Sequence, residues 1–156
     1  MTGVQTCALP ILIIQSHGIP ASRLKEIKAS GIAFVDTTCP MVKDIQARAR
    51  RLAGEGRRVI IIGDRRHEEV QGIAGQVENA LILGSPEEAG RGFFQGVDRA
   101  GVVVQSTFIR AEADAILRKI RRFVPDVRFE NTICKPTSDR QRDAGVQAAL
   151  KAEGLA

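Results

Sequence analysis

Short apolar runs alternate with stretches of helical period along this chain. Ile11–Ile14 is a strand-sized run, and a turn at His17–Pro20 leads to a helical pattern over Ala21–Ser30 that Gly31 closes. Ile32–Val35 reads as the next strand. Pro40 suits the first turn of a helix running to about Ala53, where its missing N–H costs nothing, and Gly54 and Gly56 end it. Arg58–Ile62 is strongly β-branched, and a short helix is predicted over Glu68–Gln76. Ala80–Leu83 is a short strand, Ser85-Pro86-Glu87-Glu88 opens like a helix, and Gly101–Val104 is again a strand. The helix over Arg110–Phe123 places Ile116, Leu117, Ile120 and Phe123 on one face. Val127–Phe129 is a last strand, and Arg140–Leu155 reads as an amphipathic helix.

Strands alternating with helices predict an α/β fold of parallel sheets flanked by helices. Ligands in such folds bind beyond the carboxyl ends of the strands. Each polar cluster of interest follows a strand: Ser16-His17-Gly18, Asp36–Pro40, Gly63–Glu69, Gln105–Thr107 and Thr132–Cys134.

Composition narrows the partners. The 156 residues are 44% hydrophobic and 26% charged, the balance of an ordinary globular domain, and no apolar run is long enough to predict a membrane span. The net charge of +5 is spread over helix surfaces and turns, Trp and Tyr are absent, and no nucleic-acid module is recognisable, so neither nucleic acid nor membrane is an expected partner. A positive field that draws in a small anion remains compatible with the charge. The cysteines are odd in number and widely spaced, which argues against a secreted disulfide framework and for a reducing, cytoplasmic setting. Residues 1–12 have no periodicity and resemble translated sequencing-adapter sequence. They are expected to be a spurious extension, and Cys7 is set aside with them.

Cys39 stands at a strand end and a helix N-terminus, a place that favours the thiolate as metal ligand or nucleophile; a small buried residue under the helix is the competing reading. Cys134 also follows a strand, with Lys135 beside it, and carries the same two readings. With no Cys-x-x-Cys, local spacing indicates neither a zinc ribbon nor a ferredoxin-type cluster. His67 and Glu69 lack the spacing of a zinc helix. They suit anion binding and proton transfer, or else an exposed polar turn, and His17 shares that ambiguity. The hydroxyls of Ser106 and Thr107 can orient a substrate or simply cap a strand end.

Taken in order, these segments resemble the 4-hydroxy-3-methylbut-2-enyl diphosphate reductase family. The resemblance rests on Ser16-His17-Gly18, Asp36-x-Thr38-Cys39-Pro40, and Gly63 with His67-x-Glu69-Val70-x-Gly72 and Gly75-Gln76. Gln105-Ser106-Thr107 and Ile133-Cys134 with Arg140-Gln141 complete it. It implies part of a three-lobed α/β architecture: the end of a first lobe over 13–39, a second lobe over 40–133 and the start of a third over 134–156. It further implies an iron–sulfur oxidoreductase of the non-mevalonate isoprenoid pathway with a 4Fe-4S cluster. Cys39 and Cys134 would be cluster ligands, and His17 and His67 would bind the substrate diphosphate. Glu69 would deliver protons, and Ser106 would help hold the substrate's alcohol. Reductive removal of that hydroxyl would give isopentenyl and dimethylallyl diphosphates, with electrons from a donor such as ferredoxin or flavodoxin. The sequence departs from the family in having Ser at 106 where Thr is usual and Glu68 where Pro is common. The family's first cysteine, an upstream histidine and a later Ser/Asn-rich loop have no counterpart, so the chain is expected to be an inactive internal fragment. A non-catalytic α/β module binding a small phosphorylated ligand is the alternative.

Overall fold

The structure is a computed structural model that describes residues 11–152. Residues 1–10, which make up most of the expected extension and include Cys7, lie outside the described residues, as do 153–156.

Two parallel sheets form. The first pairs β1 (Leu12–Ile14) with β2 (Phe34–Asp36), joined by α1 (Ala21–Ala29). The second has four strands, β3 (Arg58–Ile62), β4 (Leu81–Leu83), β5 (Arg99–Val104) and β6 (Asp126–Phe129), in the spatial order β4-β3-β5-β6. The helices are α2 (Pro40–Gly54), α3 (Glu68–Ala74), α4 (Arg110–Phe123) and α5 (Lys135–Ala152). Among the described residues no helix is long and apolar enough to cross a membrane.

The apolar character of β3 and β5 follows from burial on both faces. Val59 and Ile61 of β3, with Val103 of β5, pack against Ile45, Ala49 and Leu52 of α2 and Val70 and Ile73 of α3. Ile60 and Ile62, with Val102 and Val104, face Ala113, Ile116, Leu117 and Ile120 of α4. The Ile116–Leu117–Ile120 stripe read from the sequence is therefore the core face of α4, with Phe123 packed at its edge.

Four expectations shift. The second strand begins at Phe34 rather than Ile32, and Ala33 O accepts from Leu12 N–H at its head. The Ser-Pro-Glu start yields only two 3-10 turns, Pro86–Glu88 and Arg91–Phe94, with Gly90 between them. The strand expected from Gly101 starts at Arg99, so this glycine lies inside β5, pressed against α2. The last helix starts at Lys135, five residues earlier than expected, with Pro136 in its first turn. Its residues Arg140–Ala148 are all exposed, so this part of α5 buries no amphipathic face.

Strand order places the crevice. From β3 the chain moves outward to β4, then returns across β3 to β5 and on to β6. The direction of winding reverses between β3 and β5, and the crevice at such a switch point lies beyond the strands' carboxyl ends. Gly63 follows β3 there and Gln105 follows β5.

Gly101 tests the close approach of α2 to β5. A Cβ at this position would stand 2.7 Å from Leu52 Cβ and 2.9 Å from its Cδ2, and Leu52 is fully buried. Gly101→Ala is expected to destabilise the chain by about 1–3 kcal/mol through overpacking. Urea unfolding followed by circular dichroism measures it, and an unchanged midpoint would contradict this packing.

Candidate active site

The β3–α3 loop turns at Asp64, whose Oδ1 accepts from Arg66 N–H at 2.9 Å, and arrives at His67. His67 is the N-cap of α3, and its Nδ1 accepts from Glu69 N–H at 3.2 Å. That bond fixes the ring. With Nδ1 accepting, Nε2 carries the hydrogen in the neutral imidazole, so the outward nitrogen is a donor rather than a lone pair. It suits an anionic oxygen better than a metal ion. The same bond satisfies the Glu69 N–H, one of the free donors at the start of α3.

One turn into α3, Glu69 is only 2% exposed. A buried carboxylate needs hydrogen-bond partners, and the end of β5 supplies them. Ser106 N–H donates to Glu69 Oε1 at 2.7 Å, and Ser106 Oγ donates to Oε2 at 2.7 Å. Gln105 braces the same corner: its N–H donates to Ile62 O at 2.8 Å, and its Oε1 accepts from Asp64 N–H at 2.9 Å.

His17 comes from the other sheet, on the turn after β1. Gly18 N–H closes that turn onto Gln15 O at 3.0 Å, with φ at +73°, a conformation that favours glycine. The His17 and His67 rings meet edge to face with centroids 5.1 Å apart. Ligand-capable atoms of His17, His67 and Glu69 all lie within 4.8 Å of one another.

Both cysteines are free, half-buried thiols tied by their backbones to this centre. Cys39 N–H donates to Ser16 O at 3.0 Å, beside His17, and Cys134 N–H donates to Ser106 O at 2.8 Å. Cys39 is the N-cap of α2, yet its side chain makes no capping bond, so the sulfur is uncommitted. Its loop is held by Asp36, which accepts from Thr38 N–H at 3.0 Å and pairs with Lys43 Nζ at 2.8 Å. The Lys43 ammonium and the Thr38 hydroxyl hold the Asp36 carboxyl down at about 2.

The thiols are soft donors suited to an iron–sulfur cluster. Two of them fit part of such a donor set, although neither joins a third ligand-capable side chain among the described residues. A separate cleft of about 680 Å³ beside α1 is lined by apolar residues such as Ile13, Ile19, Ile27 and Ile32, and none of His17, His67, Glu69 and Ser106 borders it.

Comparison with known proteins gives the chain a family. Residues 1–153 match the family described as LytB protein. The chain belongs to the LytB family. Relatives of this LytB chain include proteins named 4-hydroxy-3-methylbut-2-enyl diphosphate reductase. The one from Clostridioides difficile is 37% identical over 134 residues, covering 85% of this chain and 48% of the relative. That from Treponema denticola is 36% identical over 146 residues, covering 90% and 48%. A solved structure of (E)-4-hydroxy-3-methyl-but-2-enyl diphosphate reductase superposes with a TM-score of 0.77 at 31% identity, covering 85% of this chain and 48% of that one. The Plasmodium falciparum structure, at 24% identity and TM-score 0.75, shares the fold. The LytB chain spans about half the length of the curated relatives it matches.

His17, Cys39, His67, Glu69, Ser106 and Cys134 were legible as candidates, but the residues that brace them were not. Gln105 as clamp of the β3–α3 loop, and Thr132, whose Oγ1 accepts from Val104 N–H at 2.8 Å, read only as polar residues near strand ends. No periodicity marks such residues. The available signal was their position after strands, at the switch point for Gln105 and beside it for Thr132.

Two outcomes check this geometry. Ser106→Ala strands one oxygen of a buried carboxylate and is expected to cost about 1–3 kcal/mol in urea unfolding. Ser106→Thr keeps the hydroxyl and should cost less than about 1 kcal/mol; equal losses for the two variants would contradict the Glu69 contact. For Asp36, the folded carboxyl sits below its ordinary 3.8, so its contribution is full above that value and is lost as pH falls through about 2. The Thr38 amide resonance should titrate with a midpoint near 2 and lose that step in Asp36→Asn. A wild-type midpoint at 3.8 would rule the clamp out.

Proposed function

We propose that this chain is a segment of a 4-hydroxy-3-methylbut-2-enyl diphosphate reductase. The whole protein would convert that diphosphate to isopentenyl and dimethylallyl diphosphates by reductive dehydroxylation. One observation supports this most: an unbroken series of contacts runs from Cys39 through Ser16, His17, His67, Glu69 and Ser106 to Cys134. Membership in the LytB family supports the same reading. The lobes would divide at 13–39, 40–133 and 134–156, with the first lobe extended by Leu12, which opens β1 instead of belonging to the expected extension.

Each residue has a task in this reading. His67 Nε2–H donates to a diphosphate oxygen, and His17, 5.1 Å away ring to ring, binds the same group from the other sheet. Glu69 holds the proton that leaves with the substrate's hydroxyl, and the Ser106 hydroxyl, bonded to Glu69 Oε2, orients carboxyl and alcohol together. Burial of Glu69 keeps bulk water from competing for that proton. Cys39 and Cys134 would hold a 4Fe-4S cluster as two of its thiolate ligands. The cluster, when bound, would pass on the two electrons one at a time and supply a Lewis-acidic iron. Electrons would come from a small cytoplasmic carrier such as ferredoxin or flavodoxin.

Two measurements on the chain test this. Calorimetry with inorganic pyrophosphate should give binding without iron, weakened about tenfold or more in His67→Ala, the loss of one charge-assisted hydrogen bond. Anaerobic reconstitution with iron and sulfide should load iron in wild type and lose it in Cys39→Ser and Cys134→Ser. Pyrophosphate binding with iron content indifferent to both cysteines would favour a non-catalytic module for small phosphorylated ligands.

A further inference from the structure

His17 and His67 belong to different sheets, so their separation depends on how the β1–α1–β2 unit seats on α3. Three contacts set that seat. Ala21 N–H donates to Gly75 O at 3.1 Å. Gln76 Nε2 donates to Ile19 O at 3.0 Å and to Gly72 O at 3.0 Å. Gln76 Oε1 accepts from Arg50 Nη1 at 2.7 Å. The last bond decides which end of the amide faces which neighbour. Arg50 can only donate, so it claims the oxygen and leaves the NH2 group toward the turn that carries His17.

The packing is as close as the hydrogen bonds require. A Cβ at Gly75 would stand 2.4 Å from Pro20 Cβ, and one at Gly72 would stand 3.3 Å from His17 O. Gly75 has φ −71°, which any residue adopts, so glycine there answers the contact and not the backbone conformation.

Resting on the diphosphate reading above, we infer that Gln76, oriented by Arg50, is a positioning residue that holds the 16–20 turn on α3. It thereby keeps His17 beside His67 and aimed at the same anion. Gln76 itself touches neither imidazole. Its effect is geometric, and a displacement of about 1 Å at a binding group can cost up to about a hundredfold.

The chain has only two histidines, so their imidazole resonances are unambiguous. With centroids 5.1 Å apart, the two rings should show an inter-ring nuclear Overhauser effect in the wild-type chain. Gln76→Glu keeps the acceptor for Arg50 but replaces the donor to Ile19 O with a second acceptor. It should abolish the inter-ring signal and weaken inorganic pyrophosphate binding by roughly tenfold. Adding His17→Ala should cost nothing more, whereas adding His67→Ala should bring its own loss. Gly75→Ala should act in the same direction by displacing Pro20. Arg50→Ala, at an exposed side chain, lets the amide turn over and should weaken binding about two- to threefold without altering the fold. An inter-ring signal unchanged in all three variants would overturn the inference, as would Gln76→Glu and His17→Ala losses that multiply. If wild type bound no pyrophosphate, the diphosphate reading would fall, and the inter-ring signal would still decide the role of Gln76.

Discussion

The Glu69 carboxylate is buried, and both its oxygens are satisfied by one residue, Ser106. An unpartnered carboxylate at that depth would cost several kcal/mol, on the order given for buried ions. The bonding therefore fixes the start of α3 against the end of β5. His67 and Cys134 both hang from that joint. His67 lies two residues before Glu69 and caps the same helix, and Cys134 hooks its N–H onto the Ser106 carbonyl.

The joint sits where it does because the strand order reverses between β3 and β5. The loops after these strands diverge toward opposite sides of the sheet and leave a crevice between them. Gln105 closes the base of that crevice by holding both Ile62 and Asp64. The apolar residues of β3 and β5, covered by α2 and α3 on one face and α4 on the other, make the floor rigid. His17 and Cys39 are delivered from the two-stranded sheet, on turns that follow β1 and β2. Their placement depends on the contact between small residues of α3 and the 16–20 turn, a contact between two units rather than within one.

Much of the fold was legible because burial writes itself as periodicity. The Ile116–Leu117–Ile120 stripe, the β-branched run at 58–62 and Pro40 at the start of α2 each state a local preference that the tertiary structure keeps. Legibility failed where tertiary contact overrode local preference. Gly101 reads as a strand start, yet it lies inside β5, which pairs from Arg99 with β6, and it is glycine there because Leu52 leaves no room for a side chain. Ser85-Pro86-Glu87-Glu88 reads as a helix, yet nearby glycines allow only 3-10 turns. The final helix reads as amphipathic, yet its side chains from Arg140 to Ala148 meet solvent.

The sequence by itself determined the parallel α/β class and the family resemblance, because strand-end polar clusters and ordered motifs are local and linear. It did not determine that Glu69 is buried, that one serine satisfies both its oxygens, or that the outward nitrogen of His67 is a donor. Nor did it show that Gln76, just beyond α3, reaches the turn of the other sheet. These depend on which strands are neighbours and on how closely two helices and a turn approach. Such distances arise only when residues far apart in the chain are packed together, so tertiary structure alone decided them.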